Sequence, residues 1–482
     1  MEEMIRRVNG IVWGLPAVLM IMGCGALLTV RTKGVQVRRF RQALCSTIVP
    51  ALRGRKRRGG TVSQFEAFAT AISGTVGTGN IIGVISAILT GGAGAVFWMW
   101  VSAFFGMVTG YSENLLGIYF RRRESEDGYS GGAFMYIENG LGRKGLALFS
   151  ALSCVFASFG MSGVQANKIA STLSPALSSL TGTRDGRELR FLIGSLIGAA
   201  AAVMIFGGIK RIGRATAVLV PVMSVTFILL SLTVIGMHIA FLPAALRLIF
   251  TSAFSVKAAG GGIMGIGLSR AVRTGMARGV FSNEAGLGSS VIAGCTSDVK
   301  EPVQQGFWGI FQVFFDTFVI CTLIALSFLT AFDPATLSGS EQDTALALKL
   351  YRTSFGSPGT GLFMLMMTLF AFTTVLTWAY YGQRGLEYLL CSCGRLKGVA
   401  AGAFRGIYIL LIPFSAAAEG ELIWQAADIF NGLMALPNIL SLTAMSGLVV
   451  RITENYFLRK KGSTVRPMLS AYEVEKEADG GS

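Results

Sequence analysis

The run Thr75-Val76-Gly77-Thr78-Gly79-Asn80 puts glycines, hydroxyls and an amide inside an apolar stretch long enough to cross a bilayer. Backbone N–H and C=O groups at that depth must find partners within the protein, so irregular chain survives there only where it is buried or lines a cavity. Glycines that interrupt a membrane helix free such groups to hold a carboxylate or a cation. The competing reading is close helix packing, because Gly79 and Gly83 form a G-x-x-x-G pair. A second interrupted run shifts the balance. Gly275 and Gly279 lead into Phe281-Ser282-Asn283-Glu284-Ala285-Gly286-Leu287-Gly288-Ser289-Ser290, again polar and glycine-rich at membrane depth. Two such breaks in one chain point to a central binding site.

The polar groups nearby suit a small zwitterion. Amides of Gly77, Thr78 and Gly79 open the second part of the first broken helix, where the dipole favours a carboxylate. Asn80 adds a neutral amide. Gly160 would make room, and Gln165 offers both a donor and an acceptor, for a ligand or for an interhelical hydrogen bond. Phe281 can cover a small side chain. Thr373 and Thr374 are adjacent hydroxyls. With carbonyls freed at Gly74 and Thr75 they would hold a cation by neutral oxygens, which suits Na⁺ better than Mg²⁺ or Ca²⁺. Otherwise such threonines bond the carbonyl one turn back. Trp378 shares a face with Thr374 and lies in mid-span, away from the interface that Trp prefers, so it walls a pocket or joins the core. Glu113, Asp316 and Asp428 are acids at membrane depth and must be paired or face a cavity. Asp316 and Asp428 either carry protons or cations or balance arginines. Glu284 reads as an ion-pair partner of Arg270, Arg273 or Arg278.

The elements that position these groups follow from composition. Of 482 residues, 52% are hydrophobic and 14% charged, against about a quarter charged in a soluble domain. Apolar runs recur near 10–30, 64–89, 94–120, 146–176, 189–207 and 215–241. They return near 261–294, 303–331, 360–383, 398–418 and 422–450. The chain is therefore an all-α polytopic membrane protein of about eleven transmembrane helices. Its net charge of +16 gathers in a few loops, which sets orientation and excludes a nucleic-acid patch. The basic stretch Arg31–Arg58 predicts an outside N-terminus and a cytoplasmic tail. A single histidine excludes a His-cluster metal site, and no catalytic dyad stands at working spacing, which argues against an enzyme. The expected organisation is a leading helix and basic loop over 1–60, a first repeat over 61–241, a second over 242–450, and a tail over 451–482. An odd number of spans per half makes the repeats enter the membrane from opposite sides, with the two discontinuous helices at matching positions.

Gly91-Gly92-Ala93-Gly94-Ala95-Val96-Phe97-Trp98-Met99-Trp100-Val101-Ser102-Ala103-Phe104-Phe105-Gly106, with Thr75–Asn80, Gly131–Glu138 and Arg278–Ser289, resembles the alanine/glycine:cation symporter family along about 60–450. The resemblance implies a leucine-transporter-like (LeuT-like) five-plus-five inverted repeat behind one leading helix, in the bacterial inner membrane. It implies Na⁺-driven uptake of alanine and glycine, extending to D-alanine, with membrane lipid and no nucleic acid as partner and no cofactor beyond the transported ion. Substrate contacts then fall near Asn80 on the broken helix and on Gly160, Gln165, Phe281, Thr374 and Trp378. A proton-coupled transporter of another superfamily is the alternative. Gly207–Arg214 faintly resembles the major facilitator loop, but the acid expected there is missing and the span count does not fit.

Overall fold

The computed structural model describes residues 2–52, 62–125, 128–254, 264–332, 343–391 and 394–472. The Arg53–Arg58 cluster, the first residues of the span expected from 261, and the tail beyond 472 lie outside the described residues. The described chain is helical almost throughout. An amphipathic α1 (Glu2–Val12) precedes α2 (Leu15–Arg31), whose Pro16 sits in the first turn, where a missing N–H costs nothing. Short helices α3 (Val35–Arg38) and α4 (Phe40–Leu52) carry the start of the basic loop.

A capping box starts α5 (Gln64–Thr75): Glu66 N donates to Ser63 Oγ at 3.2 Å, and Ser63 N donates to the Glu66 carboxylate at 3.0 Å. After a break at Val76–Gly77 the chain resumes as α6 (Thr78–Gly91). Then come α7 (Gly94–Phe120), an antiparallel hairpin of β1 (Arg122–Ser125) and β2 (Gly128–Ser130), and α8 (Ala133–Leu141). Three long helices follow: α9 (Lys144–Thr181), α10 (Arg187–Ile205) and α11 (Gly208–Met237).

The second part opens with α12 (Leu242–Phe254) and α13 (Met264–Asn283); residues 284–289 separate α13 from α14 (Ser290–Gly294). Next, α15 (Pro302–Val313) runs through a π-helical stretch, Phe314–Cys321, into α16 (Thr322–Ala331). α17 (Asp343–Leu389) kinks at Gly356, where φ is 66°. α18 (Gly394–Ala417) and α19 (Gly420–Ala444) follow, and the chain turns by 60° at Met445 into α20 (Ser446–Lys460).

Among the described residues, eight helices are long and apolar enough to cross a membrane, or nine with the bent α19–α20 pair. About eleven spans were expected. The difference has a local cause. α2 has 17 residues, and the second broken segment divides into shorter pieces whose α13 carries Arg270, Arg273 and Arg278. The span expected at 422–450 ends early because α20 swings onto the basic loop. There Lys33 pairs with Glu454 at 3.2 Å and Arg31 donates to Ser446 Oγ at 2.7 Å, so loop and tail share one face.

Glycines set how closely the helices approach. A Cβ on Gly309 would lie 2.3 Å from Gly110 O, so α7 and α15 touch backbone to backbone. A Cβ on Gly94 would meet Ala253 N at 2.4 Å, and one on Gly106 would meet Ala285 Cβ at 3.2 Å. The glycine-rich 91–106 stretch thus seats α7 against α12 and against the second break. α9 packs along both α17 and α19. The two broken segments, α9 and α17 enclose the polar centre.

Candidate functional site

At the first break, Val76 (φ −79°, ψ 95°) and Gly77 (φ −134°, ψ −156°) are both extended. Gly77 N donates to Asn80 Oδ1 at 2.9 Å, which caps α6. The start of α6 has one further partner, from α9. Thr78 N and Thr78 Oγ1 both donate to Gln165 Oε1, at 3.3 and 3.0 Å. The Gln165 amide oxygen therefore sits where the helix dipole and a free N–H favour negative charge. Glycine is required beside it. A Cβ on Gly77 would stand 2.8 Å from Thr374 Oγ1 and 3.2 Å from Gln165 Nε2, and one on Gly79 would meet the Phe281 ring at 3.3 Å. Gly77, Thr78, Gly79, Gln165, Phe281 and Thr374 are brought together, although they come from four different helices.

The carbonyl end of α5 faces α17. Thr374 Oγ1 lies 2.8 Å from Ser73 O and 3.0 Å from Phe370 O, so one hydroxyl bridges the two helices. One turn along, Thr377 and Ser73 hydroxyls share a hydrogen bond of 2.7 Å. Dipole and oxygens together make this end of α5 attractive to a cation. One expected hydroxyl ligand, that of Thr373, is engaged otherwise, and the Thr75 hydroxyl is engaged likewise. Thr373 Oγ1 donates to Phe370 O at 3.0 Å and Thr75 Oγ1 to Ile72 O at 3.1 Å, both within their own helices. Gly74 serves close packing, since its Cβ would sit 3.0 Å from Thr377 and 3.2 Å from Tyr381 Oη. The carbonyl that meets Thr374 is Ser73, one residue earlier than the sequence suggests.

Three further expectations change. Gly160 opens no room for a ligand: its Cβ would lie 2.8 Å from Ala427 Cα, so it lets α9 and α19 close. Replacing Gly160 with Ala overpacks that contact and is expected to cost about 1–3 kcal/mol of stability, with the substrate KM unchanged. Thermal unfolding alongside the concentration dependence of uptake checks this. Asn80 is committed to a buried acid, donating to Asp316 Oδ1 at 2.6 Å and to Ser282 Oγ at 2.8 Å. Asp316 also accepts from Ser282 Oγ at 2.7 Å and Thr317 Oγ1 at 3.0 Å. It ties both broken helices to the π-helical stretch, a kind of distortion that recurs at functional sites. Glu284 pairs with no arginine. α13 ends at Asn283, Glu284 turns to φ 56°, and its carboxylate accepts from Ser289 Oγ at 2.5 Å.

Those arginines lie elsewhere. Arg270, Arg273 and Arg278 line a cavity of about 670 Å³ with Asn9, Trp13 and Asp428. Arg278 also borders a second cavity of about 750 Å³, with Lys168, Asn167 and Trp424. Phe281 stacks on Trp424 at 5.4 Å, and the Arg278 guanidinium lies 5.4 Å from the Trp424 ring centre. Phe281 thus stands between the cavities and Gly79. Trp378 is fully buried and meets Tyr381 edge-on at 5.5 Å. The sequence reading missed Glu113 as an organiser of the second break. Glu113 Oε1 accepts from Gly286 N and Gly288 N, each at 3.0 Å, and from Asn438 Nδ2 at 2.5 Å. Gly286 and Gly288 have φ of 98° and 75°, which lets their amides converge on it. The only signal was an acid at membrane depth opposite a G-x-G.

The family model described as the sodium:alanine symporter family matches residues 1–470. The sodium/alanine symporter AgcS of Methanococcus maripaludis is 35% identical over 94% of this chain and 97% of its own. The probable sodium/glutamine symporter GlnT of Bacillus subtilis is 32% identical over 96% and 92%. Among solved structures, MhsT in complex with L-phenylalanine superposes with a TM-score of 0.58 at 16% identity, covering 83% of this chain and 99% of that one. A Na⁺-coupled sialic acid symporter gives 0.51 at 14%, covering 92% and 87%. These two show a shared LeuT-like fold. The match over nearly the whole length leads to one conclusion: the chain belongs to the sodium:alanine symporter family.

Proposed function

We propose that this chain is a Na⁺-coupled symporter of small neutral amino acids, alanine and glycine with D-alanine, in the bacterial plasma membrane. The observation that carries the reading is the double donation from Thr78 to Gln165 Oε1. A substrate carboxylate has the charge and geometry to displace that amide oxygen at the start of α6. Na⁺ would use Thr374 Oγ1 and the carbonyls at the end of α5, beginning with Ser73 O. Phe281, against Gly79, would cover the substrate side chain, and Trp378, one turn beyond Thr374, would form its floor. Each ligand stabilises the same break, so their binding is reciprocally coupled. Alternating access would move the two halves, 61–241 and 242–450, as an inverted repeat around this centre.

Purified protein in sealed vesicles tests the reading. Labelled alanine should accumulate under an inward Na⁺ gradient, and unlabelled glycine and D-alanine should compete. Uptake that ignores Na⁺, or that glutamine blocks and alanine does not, overturns the assignment.

A further inference from the structure

Three carboxylates are buried around the second break: Glu113, Glu284 and Asp316. Two are well supplied with donors. Asp316 accepts from Asn80, Ser282 and Thr317, and Glu113 Oε1 accepts from two backbone amides and Asn438, while Glu113 Oε2 has no partner. Glu284 is different. Its Oε2 has the single donor Ser289 Oγ, its Oε1 has no partner, and among the described residues no Lys, Arg or His pairs with it. An ionised carboxylate left so at membrane depth, near two others, is strongly disfavoured.

Idle donors face it from α17. Trp378 Nε1 and Tyr381 Oη are buried without a hydrogen-bond partner, and Trp378 Nε1 is turned toward the Glu284 carboxyl without closing a bond. The groups within electrostatic reach of Glu284 come from every side: Glu113 on α7, Cys154 on α9, Asp316 on the π-helical stretch and Tyr381 on α17. None carries a positive charge. The backbone of Glu284 is left-handed although the residue is not glycine, and such strain gathers at functional positions. The cluster adjoins the candidate site, since Trp378 is the proposed pocket floor and Tyr381 Oη lies beside Gly74.

We propose that Glu284 is a proton-binding site, at a point other than the Thr78 carboxylate position and the Thr374 cation position, whose occupancy is coupled to the position of α17. Protonated, Glu284 is neutral beside Glu113 and Asp316, and the indole and phenol stay apart from it. Deprotonated, it releases one proton to water with no other bond changed. Its unpaired charge then draws in the Trp378 N–H and Tyr381 O–H. The indole nitrogen is a donor only, so this point does not suit a metal cation. Thr374, which holds Ser73 O, rides on the same helix one turn from Trp378. The proton thereby reaches the cation site through a rigid element, and the two occupancies bias each other.

The uptake readout rests on the symporter reading; a substrate-free one does not. Infrared difference spectra of the purified protein across a pH step, without amino acid, should show a protonated-carboxyl C=O band. Glu284→Gln should remove a component of that band that Glu113→Gln leaves in place. In vesicles, Na⁺-driven alanine uptake by the unchanged chain should vary about tenfold with pH, and Glu284→Gln should flatten that to less than about twofold, one pK unit of linkage being tenfold. Glu284→Asn, which tolerates left-handed backbone, replaces Glu284→Gln if the latter does not fold. A carboxyl band of unchanged intensity in the Glu284 variant, or an unchanged pH profile, overturns the proposal. If alanine is not transported at all, the symporter reading fails and the infrared result alone decides on Glu284.

Discussion

Thr374→Val is expected to lower Na⁺-driven alanine uptake at limiting Na⁺ by roughly ten- to a hundredfold, while Thr373→Val changes it by less than about twofold. Both substitutions keep side-chain volume and remove one hydroxyl. The two hydroxyls stand in different places. Thr374 Oγ1 crosses to Ser73 O on the broken helix, and Thr373 Oγ1 turns back to Phe370 O on its own. A hydrogen bond or ligand contact to a charged partner contributes about 1.5–3 kcal/mol, which sets the size of the Thr374 effect. A local helix bond is replaced at little cost. Uptake measured against Na⁺ concentration separates them, with surface expression as the control. Equal effects of the two variants would place the cation away from the α5 terminus.

The second large effect belongs to Trp378→Ala. Removing a fully buried indole costs about 3–5 kcal/mol of stability, and it also deletes the floor one turn beyond Thr374. Leucine, which the unchanged site should reject, should then compete with labelled alanine, while alanine itself binds more weakly through lost contact. If Trp378 only packs between helices, stability and all uptake fall together and leucine stays excluded. Trp378→Phe keeps most of the volume and the edge-on contact with Tyr381, so it should retain alanine selectivity. Competition by leucine in both variants decides between pocket wall and packing. Continued rejection of leucine by a Trp378→Ala protein that still carries alanine removes the indole from the site.

Where sequence and structure differ, the cause is what each kind of signal encodes. Helix existence is local. Apolar runs, the Ser63–Glu66 capping box and the glycine breaks at Gly77 and Gly286–Gly288 are written in neighbouring residues, so class, element order and both discontinuities were legible. The Gly77, Thr78 and Gly79 amides at a helix start were legible for the same reason. Partners distant in the chain were not. Asn80 is a plausible ligand in sequence, yet Asp316 lies 236 residues away and claims it. Glu284 has arginines close in sequence, but the end of α13 and one left-handed residue turn it toward Ser289 instead. Gly160 looks like space for a substrate until Ala427 of α19 fills it.

The sequence by itself determined that the chain crosses a membrane repeatedly, where its helices break, and which residue types stand at the breaks. Burial in lipid leaves the backbone no other way to satisfy its polar groups. Only the tertiary structure decided which hydroxyl of the Thr373–Thr374 pair faces the break, that Gln165 reaches the Thr78 amide, and which of three buried acids has a single donor. Those outcomes depend on the rotation of α9 and α17 about their axes. Rotation is set by small-residue contacts such as Gly160 on Ala427 and Gly382 on Ser158, summed over helices far apart in the chain.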